Sequence, residues 1–169
     1  KIGYFAFTKK AAGEAKKRMP AEDKKLPYFQ TLHSFAFNLL KLNEDDVMQP
    51  YHYENFGKKL NVKVKYYDRY NEEETNFLTC DNADFNDMIE MLLKKDSKIP
   101  QFDAVFIDEA QDLSPLQWKL YDKLKEKSKD IYLAGDDDQA IFAWAGADVN
   151  RFIDEPAKEK VLHKSRRIS

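Results

Sequence analysis

Cysteine is nearly absent: Cys80 stands alone in 169 residues. No internal disulfide can form, and no cysteine cage for a metal can be built, which points to a reducing compartment. No apolar run approaches the length of a membrane span, and no signal peptide opens the sequence, so a cytoplasmic protein without membrane contact is expected. A large excess of one charge sign is lacking too. The net charge of −2 argues against a uniformly basic nucleic-acid binder. That average hides an asymmetry, because residues 1–42 hold nine Lys or Arg against three acids. A basic face able to meet phosphates survives there, although a lysine-rich stretch is more often a solvated helix face. Hydrophobic residues make up 43% and aromatics 14%, enough for a real core, and the length fits one domain or one domain with an insert.

Two runs organise the rest. Phe102–Asp112, FDAVFIDEAQD, and Ile131–Gln139, IYLAGDDDQ, are dense in β-branched and aromatic residues and stop abruptly at acids. This is the pattern of buried parallel strands whose carboxyl ends deliver charged side chains to a crevice. Asp108 and Glu109 are adjacent, and neighbouring residues leaving a strand point in different directions. One can help hold a hydrated Mg²⁺ while the other reaches a water, the division of labour that nucleotide hydrolysis requires. For the dipeptide alone, a bland reading stands level with this one: carboxylates stabilising the amino end of a helix over 114–127. The second strand ending, with Gly135, a carboxylate cluster and Gln139, tips the balance toward a site.

DEAQD followed by GDDDQAIFAWAGAD resembles motifs II and III of UvrD/Rep-type superfamily 1 DNA helicases. Phe7–Ala12, FTKKAA, is similar to motif Ia; Thr31–Phe35, TLHSF, to motif Ib; and Leu162–Ser169, LHKSRRIS, to the start of motif IV. These matches occur in the family's order, which is far more specific than any one of them. The resemblance implies an α/β fold, a RecA-like parallel sheet flanked by helices. Motor domain 1A would comprise 1–42 and 100–169, with a small, mostly helical insert, 1B-like, over 43–99. It implies ATP and Mg²⁺ as cofactors, with Asp108 on the metal, joined by Glu109, which activates the attacking water. Gln139 would sense the γ-phosphate, and Arg167 would stabilise charge on the transferring group. It assigns single-stranded DNA contact to Phe7, Thr8, Lys9, Thr31, His33 and Trp144, with Trp144 stacking on a base.

Departures from the family pattern qualify this. Lys9 replaces the usual Asn, Ala143 a frequent Gly or Arg, Ala145 the usual Arg, and Arg166 the usual Tyr. Loss of the Arg after Trp144 weakens the expected coupling to strand separation. The family's phosphate loop, GxxxxGK[ST], occurs nowhere in the sequence, which starts at Lys and stops at motif IV. The expectation is a piece of a larger protein, inactive alone, whose parent moves 3′ to 5′ along single-stranded DNA and unwinds duplex junctions, with replication or repair proteins as partners.

Local signals place the elements. Strands are expected over Ile2–Thr8, Tyr28–Thr31, Phe102–Ile107, Asp130–Ala134 and Lys160–Leu162. Helices are expected over Lys9–Met19, from Thr31 or Ser34 to Leu40, Tyr51–Leu60, Phe85–Lys95 and Ser114–Lys127, and Arg151–Asp154 closes a further short helix, with a possible strand at Val62–Tyr67. Two other classes compete. One is a non-catalytic, helicase-like DNA- or protein-binding module of a multi-subunit repair or nuclease complex. The other is a P-loop ATPase that uses no nucleic acid. A nuclease lacks support, since the acids between Asp108 and Asp138 come without the Lys and Glu spacing that metal-dependent cleavage needs.

Overall fold

A computed structural model describes residues 1–19, 26–47, 58, 85–140, 146–158 and 160–161. Four strands, β1 (Ile2–Phe5), β2 (Phe29–Gln30), β3 (Phe102–Ile107) and β4 (Ser128–Leu133), form a sheet in the order β2-β1-β3-β4. Every pairing is parallel, so all four carboxyl ends lie on one edge. Among the described residues, the strands are accompanied by the helices α1 (Lys9–Arg18), α2 (Leu32–Leu40), α3 (Phe85–Lys94), α4 (Pro115–Glu126) and α5 (Val149–Ile153).

The two sheet faces differ because strand side chains alternate. One face supplies Phe5, Val105 and Ile107 to a core completed by Phe35, Met88, Ile89, Leu92, Leu120 and Leu124. Aromatic edges lock it, with Phe5 and Phe35 ring centres 4.9 Å apart. The other face carries an aromatic row in register, Phe29–Tyr4–Phe106–Tyr132. Tyr4 stacks on Phe29 at 5.3 Å and Phe106 on Tyr132 at 4.8 Å.

The expected β3 matches its observed bounds, while several other boundaries move. β1 ends at Phe5 because Thr8 leaves the strand to cap α1, its Oγ1 accepting the Ala11 N–H at 3.1 Å. β4 begins two residues early, since Ser128 pairs with Phe102. α5 runs over Val149–Ile153, capped by Asp148 and closing at Asp154 as expected. The expected strand at Lys160–Leu162 is not formed at Lys160 or Val161, and Val161 is exposed, with no buried face to pack. Leu162, the expected helix at Tyr51–Leu60 apart from Lys58, and the expected strand at Val62–Tyr67 lie outside the described residues. Segment 43–99, expected as an insert, sends Val47, Met88, Ile89, Leu92 and Ile99 into the main core. At its described ends it is part of the same packed body.

Ser114 opens α4 through a capping box with Gln117, and Pro115 fills the first turn where no N–H is needed. The chain beyond β4 is then tied to this helix. Asp148 N–H donates to Leu113 O at 2.9 Å, and Arg151 bonds Asp122 at 2.8 Å. Glu155 ends the tie: its side chain, 2% exposed, takes the Tyr121 hydroxyl at 2.9 Å and pairs with Lys125 and Arg151. Burial acts to raise the Glu155 pKa, but the Lys125 and Tyr121 hydrogen bonds and both cations outweigh it and hold the carboxyl below its ordinary value of 4.5. A depressed folded pKa contributes stability that is present above the unfolded pKa and lost as pH falls through the folded one. The stability difference between the native protein and Glu155→Gln should therefore be full at pH 7 and shrink below pH 4.5. Urea midpoints of both proteins at pH 7 and pH 3 check this; an equal gap at both would disprove the linkage.

Candidate nucleotide and nucleic-acid site

The carboxyl edge of the sheet gathers the charged strand tips. Asp108 follows β3 directly, its N–H still bonded to Phe5 O at 2.9 Å, so the carboxylate leaves a fixed ladder position. Its two oxygens are held from different sides: Oδ2 accepts the Tyr4 hydroxyl at 2.6 Å and Oδ1 the Glu109 N–H at 3.2 Å. Burial first, then the Asp108 hydrogen bond and the Asp108 and Glu109 charges, push the Tyr4 phenol well above its ordinary pKa, so it remains a donor. Glu109 sits at φ 55, ψ 46, a left-handed conformation uncommon for a side-chain-bearing residue. Such strain persists only where the surroundings over-determine it, and it clusters at functional sites.

What holds Glu109 is Gln111, 1% exposed, which donates from Nε2 to Glu109 Oε2 at 2.9 Å. The other end of the same amide, Oε1, accepts the Asp136 N–H at 3.2 Å. Asp136 in turn caps the turn Asp137–Gln139, accepting the Asp138 N–H at 3.2 Å on Oδ1 and the Gln139 amide on Oδ2. A continuous hydrogen-bonded chain therefore runs Glu109–Gln111–Asp136–Gln139. Beside it, Asp112 Oδ1 is buried without a hydrogen-bond partner, and burial, then the Glu109 charge, raises the Asp112 pKa.

No cluster of three or more metal-ligating side chains occurs among the described residues. Asp108 and the adjacent Glu109 offer carboxylate oxygens at the strand end, the donor chemistry that Mg²⁺ takes when it keeps several waters and shares one or two carboxylates with substrate phosphates.

Motif Ia and Ib residues share the edge. Phe7 and Thr8 are exposed between β1 and α1, and Lys9 begins that basic helix. Thr31 differs from its expected role: it is buried, and its hydroxyl caps α2, accepting the Ser34 N–H at 3.1 Å and donating to Ser34 Oγ at 3.0 Å. Its oxygen builds the turn instead of facing outward. His33, on the next turn, lies edge-on to Phe85 at 5.3 Å, and burial lowers its pKa to about 4. It is neutral near pH 7, a hydrogen-bonding group rather than a cation. Phe7, Thr31, His33, Ile107, Asp108 and Gln117 line one narrow crevice with room for about one water, an interior near 10 Å³.

Residues 43–159 match the UvrD/REP helicase N-terminal domain. The chain belongs to that family. It is 29% identical over 113 residues to the ATP-dependent DNA helicase PcrA of Bacillus subtilis, covering 59% of this chain and 15% of that protein. To the ATP-dependent DNA helicase Rep of Buchnera aphidicola (subsp. Acyrthosiphon pisum) it is 40% identical over 85 residues, covering 45% and 13%. To the RecBCD enzyme subunit RecB from the same organism it is 37% identical over 86 residues, covering 45% and 7%. The chain thus spans about 15% of the length of the PcrA it matches.

For this UvrD/REP domain, Asp108, Glu109 and Gln139 lie at the carboxyl ends of β3 and β4, Glu109 and Gln139 linked through Gln111 and Asp136, with Phe7, Thr8, Lys9 and His33 on the same edge. Trp144 and Arg167 lie outside the described residues, as do Ala143, Ala145 and Arg166. Sequence reasoning missed Tyr4, Gln111 and Asp136. Tyr4 reads as one more aromatic in a buried strand, and Gln111 as a spacer between two acids. Only the cross-strand register shows that their polar ends meet carboxylates.

Proposed function

We propose that this chain carries part of the nucleotide-hydrolysing and DNA-contacting surface of an ATP-dependent DNA helicase or translocase. The hydrogen-bonded chain joining Glu109 to Gln139 is the observation that carries this reading. It ties a general base and an amide able to feel the γ-phosphate into one unit. Asp108 would hold Mg²⁺ through water, with Glu109 beside it, and the ion would supply charge neutralisation on the phosphates. Glu109 would take the proton of the attacking water, Gln139 would bond a phosphoryl oxygen, and Arg167 would meet charge on the transferring group. Phe7, Thr8 and Lys9 would form the strand-binding side, with His33 donating as a neutral ring and Trp144 stacking on a base.

The crevice shared by His33, Phe7 and Asp108 supports contact between the two halves of this surface. The parent would act in the cytoplasm, moving 3′ to 5′ on single strands and at duplex junctions, with segment 43–99 as a 1B-like insert and replication or repair proteins as partners. Likeness to a RecBCD subunit favours a second reading, a helicase-like module within a multi-subunit repair or nuclease assembly.

One measurement separates these. ATP turnover by the full-length protein should rise about tenfold or more when single-stranded DNA is added, the expectation for a base-gripping surface linked to the nucleotide. Turnover that ignores DNA would favour an ATPase of another kind, and no turnover at all would favour the non-catalytic module.

A further inference from the structure

We propose that Gln111 is a positioning residue of this site. It fixes the Glu109 carboxylate and transmits the position of the Asp136–Gln139 turn to it. The inference rests on the reading of Glu109 as the base, and the geometry adds what that reading does not contain.

The amide orientation of Gln111 is settled by its partners. A carboxylate offers only acceptors and a backbone N–H only a donor, so Nε2 must face Glu109 and Oε1 must face Asp136. Burial to 1% excludes water as a substitute for either bond. Glu109 has no other side-chain hydrogen-bond donor among the described residues, while its backbone is held in a left-handed conformation. Among the described residues, one contact therefore sets the carboxylate direction. That contact belongs to a side chain whose far end is fastened to the next strand tip. A shift of the Asp136–Gln139 turn that keeps the 3.2 Å bond from Asp136 N–H carries the Gln111 amide, and the Glu109 carboxylate with it. A merely structural Gln111 would need only the bond to Asp136; the bond to Glu109 would be dispensable for turnover.

The test uses two near-isosteric variants of the full-length protein. Gln111→Met removes both bonds without adding charge. Gln111→Glu keeps an acceptor for the Asp136 N–H but loses the donor toward Glu109. Melting temperature confirms folding, fluorescent ATP-analogue titration gives nucleotide affinity, and steady-state kinetics gives kcat. The expected result is kcat lowered about 10- to 100-fold in each folded variant, with analogue affinity within about twofold. Wild-type kcat in either folded variant overturns the proposal, as does a loss confined to nucleotide affinity. If one variant fails to fold, the other decides. Glu109→Gln, measured alongside, separates the two levels. An inactive Glu109→Gln with fully active Gln111 variants removes only the positioning role, whereas an active Glu109→Gln removes the assignment of the base itself.

Discussion

Glu109→Gln is expected to lower ATP turnover by the full-length protein about 100- to 10,000-fold while leaving nucleotide affinity nearly unchanged. The substitution conserves size, so the left-handed turn that begins the segment Ala110–Asp112 should survive. What is lost is basicity, because an amide cannot take a proton from water. A second consequence follows from Gln111. Its Nε2 needs an acceptor at 2.9 Å, and the new amide can offer its oxygen there only by turning its NH₂ toward the water position. The variant therefore places a donor where the reaction needs an acceptor. Turnover within a few-fold of the native rate, with the same analogue affinity, would remove Glu109 from the chemistry.

Gly135→Ala should act by a different route and produce the largest loss of stability for the smallest change in mass. A Cβ at residue 135 would stand 2.6 Å from Gln111 Oε1 and 2.8 Å from the Phe152 ring. Neither neighbour can retreat cheaply, since Gln111 is bonded at both ends and Phe152 packs against the core. Overpacking of this kind costs about 1–3 kcal/mol. Phe152→Ala in the same chain opens the ring side but not the Gln111 side. The double variant should recover part of the stability lost by Gly135→Ala relative to Phe152→Ala alone, while turnover stays low. Denaturant midpoints of the four proteins in this cycle, together with their ATP turnover, decide the matter. Strict additivity, or native turnover in Gly135→Ala, would mean that the close approach is relieved by movement elsewhere.

Tyr4 shows the reach of the sequence. As a member of a hydrophobic strand it is legible, but its neighbour in space is 104 residues away, and the hydroxyl bond to Asp108 depends on β1 and β3 pairing with Tyr4 opposite Phe106. Thr31 shows the converse. A Thr before a helix is a capping signal, and the observed cap uses that hydroxyl, so the same residue type that could meet a phosphate is occupied by its own backbone. His33 is readable as a motif residue, yet its neutrality follows from packing against Phe85 and burial, which no local pattern reveals.

The sequence by itself determined the runs that become β1 to β4, the caps at Thr31 and Ser114, and the acid pair at a strand end. These depend on alternation, on local backbone hydrogen bonds and on residue type, all encoded within a few positions. Its ordered motifs also pointed to the family. The tertiary structure alone decided that segment 85–94 belongs to the main core, that Tyr4 grips Asp108, and that Gln111 spans from Glu109 to Asp136. Those contacts join parallel strands whose partners are remote in the chain. Their geometry is fixed by register and by the exclusion of water between the strand tips, and neither quantity exists before the sheet assembles.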